Sequence, residues 1–110
     1  MRVLEKKIIY SPDLPYDKPY EEKVGEADIL KIQISGNDIC SIKIYGRLSP
    51  YMEEQELSAI KDNDYSVVNT ITTSGIYTVS CEGYNEIKID VITPGDGMSC
   101  YVVRGGCSNG

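Results

Sequence analysis

The sequence contains no histidine, no tryptophan and no phenylalanine. Histidine is the side chain whose ordinary pKa suits proton transfer near neutrality, so its absence excludes every histidine-dependent triad and leaves general acid–base work to carboxylates. Without tryptophan, the usual aromatic platform of sugar-binding sandwiches is missing, and only the nine tyrosines could take its place. No stretch reaches the ~20 apolar residues of a membrane span. The opening MRVLEKKIIY is interrupted by charges and does not read as a signal peptide. Synthesis in the cytosol, without membrane insertion or export by that route, is therefore expected. Basic residues are also short, 11 Lys and Arg against 17 Asp and Glu, and the formal charge of -6 would repel a phosphate backbone. Nucleic acid is not an expected partner.

What the chain does have is isoleucine, valine and tyrosine, residues that suit a half-buried pleated surface. At 110 residues it lies near the commonest domain size and can form one core without a metal or disulfide framework. Leu30, Ile32 and Ile34 alternate with Lys31, Gln33 and Ser35, and Cys40, Ile42 and Ile44 alternate with Ser41, Lys43 and Tyr45. Gly36-Asn37-Asp38 supplies turn chemistry between these runs, so residues 30–46 read as a β-hairpin. Tyr77, Val79 and Cys81, then Ile87, Ile89 and Val91, repeat the alternation, and Pro94-Gly95-Asp96-Gly97 turns the chain into a last strand over residues 98–104. Shorter strands are expected over residues 56–61 and 65–71, with a loop holding at most one helical turn after Ser49. About seven short strands without a long 3.6-residue period predict an all-β protein, an antiparallel β-sandwich of jelly-roll or immunoglobulin-like type.

Before the first clear alternation the pattern differs. Residues 1–10 make an irregular first strand. Pro12, Pro15 and Pro19 then remove backbone donors and hold residues 11–22 extended. We divide the chain into an N-terminal arm and first strand (residues 1–27), a sandwich domain (28–105) and a flexible tail (106–110). Tyr10, Tyr16 and Tyr20 flank the prolines, and together with Pro12, Leu14, Pro15 and Pro19 they form the candidate partner-binding segment. Amphipathic aromatics are common anchors at protein interfaces, although the same residues could pack the arm on its own domain.

Residues that could carry chemistry have simpler roles. Glu53, Glu54, Glu56, Asp62 and Asp64 suit a glycosidase by type, but their clustering in loop-like sequence reads as a solvated acidic surface. Asp62-Asn63-Asp64 and Asp96 could ligate calcium, yet EF-hand spacing is absent and turn roles are favoured. Cys40, Cys81, Cys100 and Cys107 match no metal or haem spacing and are expected to be free, the first three buried in strands. No catalytic residue, metal or cofactor is assigned.

The segments SIKIYGRLS (residues 41–49), TTSGIYTVSCEGY (72–84) and EIKIDVITPGDGMSCYVVR (86–104) resemble small bacteriophage virion β-sandwich proteins of the capsid decoration, head-fibre and minor capsid type. The resemblance implies a non-enzymatic structural protein made in a bacterial cytoplasm and bound to a viral particle. It further implies a major capsid protein or other virion protein as partner and a homo-oligomer, with a trimer at a local threefold position. The proline-rich N-terminal part and the acidic loop at residues 53–56 depart from that layout and leave the attachment point open. The alternative is a receptor- or carbohydrate-binding module of a tail or surface structure, with Tyr51 and Tyr84 as the residues to test.

Overall fold

Period-two alternation places alternate side chains on opposite faces of a strand, and the computed structural model carries this through to a closed core. It describes residues 2–12, 18–25, 29–36, 39–95 and 97–106. Leu30, Ile32 and Ile34 point inward from β3 (Ile29–Ser35), Ile42 and Ile44 from β4 (Ser41–Arg47), and Ile87, Ile89 and Val91 from β10 (Glu86–Thr93); all are buried. Tyr77 and Val79 of β9 (Gly75–Ser80) and Cys100 and Val102 of β11 (Ser99–Gly106) join the same core. Around these run β1 (Arg2–Tyr10), β2 (Tyr20–Lys23), β5 (Gln55–Leu57), β6 (Ala59–Lys61), β7 (Val67–Val68) and β8 (Thr70–Ile71).

The strands form two antiparallel sheets. The first has six strands in the order β1-β11-β3-β9-β6-β7, and the second runs β2-β10-β4-β5, with β8 also on β4. The expected all-β sandwich is thus what the chain forms, and no helix occurs among the described residues.

The expected hairpin over residues 30–46 is not formed. β3 pairs with β11 and β9, whereas β4 pairs with β10, β5 and β8 in the opposite sheet. Alternation shows which face of a strand is buried but not which neighbour it takes, and a turn can equally pass the chain to the facing sheet. Gly36, with φ +144°, begins this crossing where an added Cβ would lie 3.1 Å from the Met98 Cα. β9, β10 and β11 likewise alternate between sheets.

The expected strands over residues 56–61 and 65–71 each divide in two, one half in either sheet. Leu57 faces the core from the second sheet and Ala59 from the first. The two switch points meet where the Ser58 hydroxyl donates to Asn69 Oδ1 at 2.7 Å. Strands that change sheet at a corner close a sandwich along one side. At the other side, Arg104 of β11 reaches Glu22 of β2 at 3.0 Å and also donates to the Lys23 carbonyl, joining the sheets by a charge-assisted contact.

β1 and β2, both within the stretch read as arm and first strand, are the outer strands of the two sheets. β1 pairs with β11 from Arg2↔Gly106 to Tyr10↔Cys100, with irregularities between Val3 and Glu5 and between Ile8 and Tyr10. β2 pairs with β10 over four residues, from Lys23↔Glu86 to Tyr20↔Ile89. Between Tyr10 and Tyr20 the chain therefore changes from the edge strand of one sheet to the edge strand of the other.

Candidate functional site

Of the five carboxylates that suit catalysis by type, four are held in contacts, and Glu53 is exposed on the wall of the groove described below. Lys31 Nζ meets Asp62 Oδ2 at 2.6 Å and Thr78 donates to Asp62 Oδ1 at 2.6 Å. Asp64 Oδ1 accepts from the Ser66 amide at 3.0 Å and its hydroxyl at 2.7 Å, the contacts of a turn residue. Glu54 pairs with Lys88 at 2.9 Å and Glu56 with Lys43 at 3.7 Å. Among the described residues no cluster of three metal-ligating side chains occurs. Asp96 lies outside the described residues.

The Lys31 contact, then that of Thr78, holds the Asp62 carboxyl below its ordinary 3.8. A carboxyl depressed on folding stabilises the protein above its unfolded value, and that contribution is lost as pH falls through the folded value. Asp62→Asn is therefore expected to cost about 0.5–1 kcal/mol at neutral pH, the scale of a part-exposed pair. The difference from the parent should disappear well below pH 3.8 in urea titrations.

Cys40, Cys81 and Cys100 are free and buried as expected, but only Cys100 lies within a strand, Cys40 immediately preceding β4 and Cys81 immediately following β9. Burial raises the Cys40 thiol, and burial together with the charge of Cys40 pushes Cys100 up to about 12. Thiolate is the reactive form, so neither group suits nucleophilic work. Cys107 lies outside the described residues.

Of the candidate partner-binding residues, Tyr10 and Tyr20 are half-buried and pack on the core. Tyr20 donates to Glu22 Oε2 at 3.2 Å, and the Lys7 ammonium lies 5.3 Å from its ring. Pro12 is exposed and Pro19 half-buried in the connection between the sheets, while Leu14, Pro15 and Tyr16 lie outside the described residues.

A concavity among the described residues lies elsewhere, at one end of the sandwich. Gly46 points inward beyond Ile42 and Ile44 of β4 but has no side chain, and the Tyr84 ring fills the space above it: a Cβ there would come within 2.9 Å of Tyr84 Cδ1 and 2.7 Å of Leu57 Cδ1. The loop carrying Tyr84 is held by Tyr84 N–H to Cys81 O at 3.0 Å and Asn85 N–H to Arg47 O at 2.8 Å. Arg47 is itself paired with Glu86 at 2.8 Å. The opposite wall is a turn at Ser49, closed by Met52 N–H to Ser49 O at 3.0 Å. This turn leaves Leu48, Tyr51 and Met52 largely in water, with Tyr51 95% exposed. The resulting groove has a volume of about 480 Å³, within the usual size for a small-molecule or side-chain site.

Tyr51 and Tyr84 thus come together in space, 33 positions apart in the chain. Leu48, Met52 and Gly46 were not legible as part of a site; the only sequence signal was a run of apolar residues around a Ser-Pro turn. Gly46→Ala should displace both contacting side chains and cost about 1–2 kcal/mol by overpacking, checked by thermal unfolding, while the all-β circular dichroism spectrum is retained.

No protein-family model and no curated protein sequence matches the chain. Two solved structures are similar. The SPBc2 prophage-derived protein YomS aligns with a TM-score of 0.69 at 18% identity, over 91% of this chain and 92% of that one. The PBSX exported protein XepA aligns with a TM-score of 0.75 at 14% identity, over 91% of this chain but only 37% of XepA. At these identities the likeness is one of fold: a whole YomS-length chain, and a little over a third of XepA.

Proposed function

We propose that this chain is a non-enzymatic structural component of a phage particle, a capsid decoration or minor capsid protein that binds and stabilises the shell. The observation that carries the reading is that both similar folds come from prophage-derived proteins. The chemistry of the surface agrees with it. Histidine is lacking, the carboxylates of residues 54, 56 and 62 are held by lysines, and the described thiols are buried. On this reading the protein is made in the host cytoplasm and ends in the virion, with a major capsid protein or other virion protein as partner.

The proposed contact remains the segment bearing Tyr10, Pro12, Leu14, Pro15, Tyr16, Pro19 and Tyr20. A segment read as extended can add to a neighbour's sheet edge through the N–H and C=O groups of its non-proline residues, which needs no large preformed groove. Purified protein mixed with undecorated capsids should bind saturably, and Pro12→Ser with Tyr16→Ala should weaken that binding without unfolding the domain. Absence of saturable binding would count against the reading.

A second reading, a receptor- or carbohydrate-binding module, is favoured by the groove that unites Tyr51 with Tyr84. An exposed ring beside a half-buried one can hold the apolar face of a sugar. Binding on a glycan array that Tyr51→Ala and Tyr84→Ala both abolish would displace the capsid reading.

A further inference from the structure

The two outer faces of the sandwich differ in kind. On the second sheet the register sets Lys88 beside Tyr45 and Glu21, Asp90 beside Lys43, and Glu86 beside Arg47. Ion pairs at Glu54–Lys88, Arg47–Glu86 and Lys43–Glu56, and the Lys88 ammonium 4.8 Å from the Tyr45 ring, make this a wet, charge-laced surface. The first sheet should look the same if it too faced water. Instead, its register lines up Ile8, Tyr101 and Ile76 in one row across four strands, with Gln33 between the last two. The adjacent row carries Val103, Ile60 and Val67, with Lys31 and Thr78 among them. Ile8 is 54% exposed, Ile60 42%, Val67 66% and Ile76 43%.

We infer that this apolar outer face of the six-stranded sheet is covered by the same face of a second copy of the chain. Three features favour that occupant. The charged side chains at described outward strand positions are Lys6 and Lys31, and Lys31 is neutralised in place by Asp62 at 2.6 Å. A protein of net charge -6 can therefore approach itself here without the repulsion met elsewhere. The second sheet, with three ion pairs against the single Lys31–Asp62 pair here, would desolvate more charge as the complementary surface. The surface also offers both knobs and hollows. A depression of about 170 Å³ lies among Lys31, Gln33, Ile76, Tyr101 and Val103, where an aliphatic side chain from a partner in the opposite orientation can enter, and one of about 380 Å³ among Lys31, Ile60, Asp62, Tyr65 and Thr78 can take a polar-tipped one such as tyrosine. Finally, the six strands lie about 4.8 Å apart and run from two to nine residues, about 20 Å long on average, so the face presents about 500 Å² and two copies would bury about 1,000 Å² together, the lower bound of a specific interface.

The inference holds whichever of the shell and glycan readings is right. Its test is sedimentation velocity on the full chain across a concentration series, with Ile76→Lys and Val67→Lys as disrupting variants on separate strands. Ile92→Lys, an exposed aliphatic position on β10, is the control. The parent and the control should self-associate, and each disrupting variant should dissociate about tenfold more readily or further while keeping the parent's circular dichroism. A parent that stays monomeric throughout, or association that both variants leave intact, would overturn the inference.

Discussion

Deleting residues 1–22 should abolish cooperative unfolding or lower the melting temperature by about 15 °C or more, equivalent to several kcal/mol for a domain of this size. The alternation in the sequence becomes clean only at Leu30, which alone would predict a truncated chain that folds. The pairing predicts the opposite. β1 is the sole neighbour on its side of β11, and β2 is the sole outer neighbour of β10. Removing them leaves two long strands with open backbone edges. It also uncovers the core where Tyr10 and Tyr20 pack and takes away Glu22, the partner of Arg104 across the sheets. Thermal denaturation followed by circular dichroism checks this: a truncated chain melting within a few degrees of the parent would mean that the edge strands contribute little.

Ile32→Ala should cost about 3–4 kcal/mol, whereas Ile76→Ala should change the stability of the isolated subunit by less than about 0.5 kcal/mol. Both are isoleucines on neighbouring strands of one sheet. Ile32, at 0% exposure, stands between β11 and β9 on the inner face, and its truncation leaves a cavity in the core. Ile76 stands on the outer face at 43% exposure, where truncation only removes surface from water. Chemical denaturation at concentrations below any self-association measures both. Comparable costs would show that the two faces of the sheet are not distinguished as described.

The faces of the long strands were legible because apolar residues recur at every second position: Leu30, Ile32 and Ile34 in β3, Ile42 and Ile44 in β4, Tyr77 and Val79 in β9, and Ile87, Ile89 and Val91 in β10. Their partners were not. A strand flanked by Gly36-Asn37-Asp38 reads as half of a hairpin whether the chain turns back beside itself or passes to the opposite sheet, since both outcomes bury the same side chains. The sheet changes at Ser58 and Asn69 were hidden for a related reason. One residue separates strands in different sheets, and Leu57 and Ala59 both meet the core, so the run looks continuous. The groove joins residues from β4, β5 and the loop before β10, which only tertiary packing brings together; Tyr51 and Tyr84 were visible as exposed aromatic candidates, but not as neighbours. The apolar outer face had a fainter signature. Ile76 shares its alternate positions with Thr78 and Ser80, and one aliphatic residue on a wet face is unremarkable until the register sets it in a row with Ile8 and Tyr101.

Among the described residues, Glu54, Glu56, Asp62 and Asp64 are held in contacts and Cys40, Cys81 and Cys100 are buried, and the proposed association falls to other surfaces. The central proposal, that it is part of a phage particle, is tested most directly by quantitative mass spectrometry of density-purified phage particles produced in cells that express the chain. The account predicts the chain at a constant ratio to the major capsid protein, retained through high-salt washing. Its presence in the soluble lysate alone, with none in washed particles, would contradict the account.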